Sequence, residues 1–266
     1  WAYLQIRELL NIKIINKADI EANTTIPMLG EIGHNVDGES LVVNNTRSII
    51  SEQFRALRAN LQFVLKQKNQ CNTIMATSSM SGEGKTFISI NLASVLALSS
   101  KKVMLMELDL RKPKLSANLG LDNSNGFTNY MVTENEDIER FIKPTFFSPN
   151  CFVLSSGPIP PNPSELLLDD RFETLMTYLK TKFDYIVMDC APVGLVADAQ
   201  LIEKYVDVNL YIIRQKYTYK SQLNIVEDLV EQGKFKRTYL GGNDIKTKKG
   251  GYYGDGYGYG YGYGYG

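Results

Sequence analysis

Thr73-Ile74-Met75-Ala76-Thr77, followed by Ser78-Ser79-Met80-Ser81-Gly82-Glu83-Gly84-Lys85-Thr86-Phe87, is the stretch from which the rest of the chain can be read. A short, partly β-branched apolar run passes into a loop of small residues, and the loop passes into a helical pattern over 85–99. This is the strand, loop and helix order of a Walker A motif, with Ser79 where the first Gly usually stands. Small residues let successive backbone N–H groups converge on phosphate oxygens, and the helix N-terminus adds partial positive charge. On this reading Ser81, Gly82, Glu83, Gly84, Lys85, Thr86 and Phe87 surround the phosphates of ATP. Lys85 reaches the β- and γ-phosphates, and Thr86 is a ligand to Mg²⁺.

Downstream, short runs at 103–106, 152–154, 185–188 and 208–213 read as strands like 73–77, most of them apolar at successive positions. Such runs are buried on both faces, as in a parallel sheet covered by helices. Helices are predicted between them at 163–180, 198–206 and 219–232, the first opened by a capping box of Asn162, Pro163 and Glu165. The expected fold is α/β: a P-loop NTPase-like, doubly wound, mostly parallel sheet flanked by helices. Two acids join the site on this plan. Asp189 ends the apolar run Tyr185-Ile186-Val187-Met188, the Walker B pattern, and is predicted to hold Mg²⁺. Glu107 and Asp109 stand two apart on a strand end, so both point to one face and are expected near the metal and γ-phosphate. Asp109 is the stronger candidate for accepting a proton from an attacking hydroxyl.

Upstream, Ile50, Phe54, Leu57, Leu61 and Val64 recur at helical spacing, with Glu52, Arg55 and Arg58 forming a charged ridge elsewhere on the helix. That ridge is either a solvated face or a partner surface. Residues 35–48 are polar and read as a linker. The chain opens on Trp1 rather than Met, which suggests a fragment, and Trp1, Tyr3, Arg7, Lys13 and Lys17 lie among Leu and Ile. This order suits the cytoplasmic flank of a membrane segment and an ordinary amphipathic helix equally well. No run of 18 apolar residues crosses a bilayer.

The 266 residues carry 29 basic and 29 acidic side chains, which argues against nucleic acid as a partner. Cys71, Cys151 and Cys190 have no metal-ligand spacing and are odd in number, and a reducing compartment fits them. The one His and the absence of a GxSxG elbow disfavour triad hydrolases. Composition shifts at the end: Tyr252, Tyr253, Tyr257, Tyr259, Tyr261, Tyr263 and Tyr265 alternate with Gly over 250–266. Such a strip cannot build a core and is expected to form a flexible tail. Extended, its 17 residues reach roughly 55 Å.

Taken together, several motifs resemble those of the bacterial tyrosine kinases attached to polysaccharide co-polymerases. They are Ile26-Pro27-Met28-Leu29-Gly30, the Glu52/Arg55/Arg58 helix, the Walker A loop, Asp109-Leu110-Arg111-Lys112-Pro113, Gly157-Pro158, Pro161-Asn162-Pro163-Ser164-Glu165-Leu166-Leu167, Asp189 with Pro192, and the tyrosine cluster. The resemblance implies an ATP- and Mg²⁺-dependent autokinase whose catalytic residues are Lys85, Asp109 and Asp189, with Thr86, Asp109 and Asp189 around the metal. It implies a homo-oligomeric ring through Glu52, Arg55 and Arg58, and a tail whose seven tyrosines accept phosphate. It divides the chain into a juxtamembrane activator-like segment at 1–34, a kinase domain at 35–249 and the tail at 250–266. It places the chain on the cytoplasmic face of the bacterial inner membrane, anchored through a region absent here, with polysaccharide polymerisation and export proteins and a tyrosine phosphatase as partners.

Two departures from the family stand out. Glu107 replaces an Asp, and Tyr239-Leu240-Gly241-Gly242-Asn243-Asp244 has too few apolar residues for the strand expected there. They keep open a catalytically weak nucleotide-binding scaffold of the export machine. A partitioning-type ATPase is the remaining alternative, disfavoured because Met80 stands where those proteins carry a signature Lys.

Overall fold

A computed structural model describes residues 12–43, 48–65, 70–134 and 136–246. The tail at 250–266 and Trp1, Tyr3 and Arg7 lie outside the described residues. Eight strands form one sheet: β1 (Met28–Gly33), β2 (Asn72–Ser78), β3 (Val103–Leu108), β4 (Ile142–Pro144), β5 (Cys151–Leu154), β6 (Tyr185–Cys190), β7 (Val208–Arg214) and β8 (Thr238–Ile245). Their order is β1-β8-β7-β2-β6-β3-β5-β4. Every pairing is parallel except the edge pair of β4 with β5.

Alternate residues along the central strands enter two separate cores. Ile74, Leu105, Val187 and Ile212 face the helices Ile49–Val64 and Lys85–Ala97, where Phe54, Leu57, Leu61, Leu92 and Leu96 are buried. Met75, Met104, Ile186 and Tyr211 face the opposite layer, with Phe172 and Leu179 of Asp170–Lys182 and Val226 of Leu223–Glu231. Period-two geometry with apolar layers on both sides is what puts apolar residues on both faces of these strands.

Several expectations change. The predicted helix at 163–180 is two helices, Pro163–Leu168 and Asp170–Lys182, divided at Asp169, whose extended backbone caps the second. The capping box at Asn162 is absent: its side chain caps no backbone N–H and instead donates to the Glu165 carboxylate at 2.8 Å. The stretch at 198–206 contains a short α-helix, Asp198–Leu201, and a 3₁₀ turn, Glu203–Tyr205. Part of the supposed linker is packed, since Val42 and Val43 are buried and their N–H groups donate to Asn91 Oδ1.

The segment near Leu240 is an eight-residue strand, contrary to the expectation drawn from its composition. It runs between β7 and β1, so neighbours supply the packing its own side chains lack. A Cβ on Gly241 would lie 2.9 Å from Ile212 Cδ1, and one on Gly242 would lie 3.2 Å from Glu31 Cγ. The two glycines make room for side chains of the flanking strands. The strand it pairs with, β1, lies within the expected 1–34 segment and belongs to the same sheet as the P-loop strand.

Candidate functional site

In an open parallel sheet, ligands bind beyond the carboxyl ends of the strands. Here β2, β3 and β6 deliver the singled-out residues to that edge. Asp189 on β6 sits in register between Ala76 of β2 and Glu107 of β3. Beyond β2 the chain turns through Gly82 and Gly84, with φ of 91° and 99°, before the helix Lys85–Ala97 begins. Only glycine takes such angles without strain. The N-terminus of this 13-residue helix has no side-chain cap, so its first N–H groups stay available to an anion.

The loop is held from beneath and from one side. The Glu83 carboxylate, fully buried, accepts from Ser79 Oγ and Met80 N at 2.8 Å each and from Thr218 Oγ1. Glu83 therefore meets a phosphate only through its backbone. From β7, β8 and the turn between β7 and the next helix, Arg214 donates to Gly82 O at 3.0 Å, Tyr217 Oη to Ser81 O at 2.9 Å and Asn243 Nδ2 to Glu83 O at 2.8 Å. These braces carried no local sequence signal, because each lies more than 130 residues from its partner. The turn is itself tied to the N-terminal segment: Ile14 N donates to Thr218 O at 2.9 Å and Lys216 N to Ile14 O at 2.7 Å.

At the metal position, Thr86 Oγ1 donates to Asp189 Oδ2 at 2.7 Å, while Asp189 Oδ1 is buried without a hydrogen-bond partner. An unpaired buried carboxylate oxygen is costly unless a cation completes it. Together with an adjacent hydroxyl, it fits Mg²⁺, which takes oxygen ligands and usually keeps several waters. Burial pushes the Asp189 carboxyl up to about 7, and the Lys85 ammonium and the Thr86 hydrogen bond pull it back only in part. Asp109, just past β3, is also raised by burial, against the backbone N–H groups of Lys112 and Arg111 and the Lys85 charge.

Glu107 is a correction to the expected pair of acids. It is fully buried: Oε1 accepts from Leu115 N at 2.6 Å and Ser116 N at 3.2 Å, and Oε2 from Ser116 Oγ at 2.6 Å and Ser156 N at 3.1 Å. Both oxygens are spent on holding the chain after β3 and β5, and the carboxylate is not offered to a metal. The charged ridge is engaged within the chain as well. Arg55 pairs with Glu52, and Arg58 Nη1 donates to Val95 O at 2.8 Å, leaving Glu52 the most exposed of the three.

A profile of the AAA domain matches residues 71–228. The chain is 35% identical over 213 residues to tyrosine-protein kinase ptk of Acinetobacter johnsonii, covering 80% of this chain and 28% of that protein. It is 32% identical over 225 residues to tyrosine-protein kinase YwqD of Bacillus subtilis, covering 84% of this chain and 94% of that one. It thus spans little more than a quarter of the first relative and nearly all of the second. Among solved structures it is similar to the chimerical protein CapA2B2, with a TM-score of 0.79 and 30% identity, covering 87% of this chain and all of that one. No described helix is long and apolar enough to cross a membrane.

Proposed function

The chain belongs to the bacterial tyrosine-protein kinases, and from that premise we propose that it is an ATP-dependent autokinase that phosphorylates its own C-terminal tyrosines, in trans within a ring. The observation that carries this reading is the convergence of Lys85, Thr86, Asp109 and Asp189 at one sheet edge in a chain that ends in seven tyrosines.

The loop N–H groups, the helix N-terminus and Lys85 would hold the triphosphate, and Thr86 and Asp189 would hold Mg²⁺. Mg²⁺, when bound, neutralises charge on the phosphate oxygens. Asp109 accepts the proton of the incoming phenol as the tyrosine oxygen bonds to the γ-phosphorus and ADP departs, and its raised affinity for protons suits that role. Each phosphate adds about −1.5 to −2 charges. Seven bring roughly −10 to −14 to a tail that begins near −1, so phosphorylated tails repel one another and the ring loosens.

Incubated with ATP and Mg²⁺, the chain is expected to gain phosphotyrosine within 250–266, to lose that gain in Asp109→Ala, and to elute later from gel filtration once phosphorylated. A wild type that stays unmodified sinks the kinase reading; unchanged elution sinks the ring release. The tie of Ile14 to Lys216 and Thr218, whose neighbours brace the P-loop, supports an activating role for the N-terminal segment. A chain beginning at residue 26 therefore enters the same assay, and full activity there argues against that role.

Of the two features behind the scaffold alternative, the strand near Leu240 is formed, and Glu107 is a buried brace of the chain after β3 and β5. The family resemblance supports a wider role: regulation of capsular or exopolysaccharide synthesis and export at the cytoplasmic face of the inner membrane, with export proteins and a tyrosine phosphatase as partners.

The Asp189 carboxyl makes nucleotide binding pH-dependent. Mg²⁺ takes the ionised form, so binding below about pH 7 must displace a proton. Mg²⁺–ADP affinity is expected to fall up to about tenfold per unit as pH drops from 7 to 5, and to be flat above 8. Calorimetry in two buffers of different ionisation enthalpy reads the proton directly. A proton count near zero at pH 6 contradicts the assignment.

A further inference from the structure

Two residues beyond Asp109, Arg111 makes a contact that the proposed mechanism leaves unused. Its Nε donates to Asp198 Oδ2 at 2.9 Å, and its Nη2 donates to Asp198 Oδ1 and to Ser164 Oγ at 3.1 Å each. Ser164 Oγ closes the triangle by donating to Asp198 Oδ1 at 2.7 Å. Three separate elements meet here: the exit of β3, the helix Pro163–Leu168 and the helix Asp198–Leu201. The Asp198 side chain is 2% exposed, whereas that of Arg111 is 40% exposed.

The backbone of the same segment faces the other way. Lys112 N, on the next residue, donates to Asp109 Oδ1 at 3.1 Å. Arg111 is thus fixed by its side chain to Asp198, while the N–H of the residue after it orients Asp109. Two parallel N–H···O bonds from a planar guanidinium set direction as well as distance, which a lysine could not do. An ion pair with one partner buried and the other 40% exposed is weak as a source of stability, because desolvation of the buried carboxylate and solvent screening of the guanidinium offset most of the attraction.

We propose that Asp198 is a positioning residue for phosphoryl transfer: it locks Arg111, with Ser164, so that the adjacent Lys112 N–H holds the Asp109 carboxylate in place for the acceptor hydroxyl. The proposal rests on the kinase reading above. Asp198 touches neither nucleotide nor acceptor in this account and acts only through Arg111.

The test compares Asp198→Asn, Arg111→Met, the double variant and wild type, using the full chain and a synthetic 250–266 peptide as acceptor. Phosphate contacts are made elsewhere, so Asp198→Asn is expected to lower kcat about 30-fold with KM for Mg²⁺–ATP within about twofold. If Asp198 acts through Arg111, the double variant is no slower than the slower single one. Multiplying losses in the double variant overturn the proposal, as does an Asp198→Asn kcat within about threefold of wild type. Should Asp198→Asn fail to fold, Ser164→Ala removes one arm of the triangle at a half-buried hydroxyl. There a kcat loss of about fivefold is expected, and no loss overturns the proposal. An inactive wild type defeats the kinase reading itself, whereas an active wild type with indifferent variants defeats only this proposal.

Discussion

Replacing Lys85 with Met is expected to lower tyrosine phosphorylation at least about 10³-fold while leaving the fold in place. Lys85 is 6% exposed and opens the helix that follows the P-loop, close enough to the strand-end acids for its charge to act on both. It draws down the proton affinity of both Asp109 and Asp189. Methionine keeps the length and apolar packing of the stem but removes the charge proposed to face the γ-phosphate. Two losses follow together: weaker stabilisation of transferring charge, and carboxyls at Asp109 and Asp189 that protonate at higher pH. Mass spectrometry of the tail reads the first, and the pH profile of residual activity, displaced to higher pH, reads the second. A thermal midpoint within a few degrees of wild type separates lost chemistry from lost structure. Activity within tenfold of wild type would remove Lys85 from the mechanism.

Gly84→Ala is expected to abolish detectable nucleotide binding and to lower the unfolding midpoint by several degrees. A Cβ there would lie 1.9 Å from Asn243 Nδ2, and the φ of 99° disfavours any side chain. Asn243 cannot simply swing aside, because the same amide nitrogen holds Glu83 O at 2.8 Å. Either the loop opens or β8 shifts, and both separate the N–H groups that must converge on phosphate. Strain of this kind costs on the order of 1–3 kcal/mol before the clash is counted. Gly38→Ala is the control: its φ is 71°, but a Cβ there meets nothing within 4 Å. It shares the backbone strain and lacks the collision, so it lowers stability by about 1 kcal/mol and leaves ADP affinity unchanged. Equal effects of the two substitutions on ADP binding, measured by calorimetry, would show that the Asn243 contact is irrelevant.

The P-loop, the acid at the end of β6 and the acid after β3 were legible because each motif is local. A strand, a turn and a helix start lie within about fifteen residues, and their chemistry follows from that order. The alternation of apolar runs and helical faces was legible for the same reason, since periodicity records burial on one or both sides. The errors fall where one element depends on distant ones. Nothing in Gly241-Gly242 announces a strand, because the packing that holds β8 belongs to Ile212 on one neighbour and Glu31 on the other. Spacing put Glu107 on the same face as Asp109, but whether that face met a metal or a loop depended on where Leu115, Ser116 and Ser156 came to rest.

The sequence by itself determined the fold class, the phosphate-binding loop, its two acids and a terminal strip of tyrosines and glycines, since each is specified by residues close together in the chain. Only the tertiary structure decided that Glu83 and Glu107 are braces rather than ligands, that Arg214, Tyr217 and Asn243 hold the loop, and that Asp198 meets Arg111 across 87 positions of sequence. A buried carboxylate takes its role from whatever donors surround it, and those donors come from elements that meet only after folding.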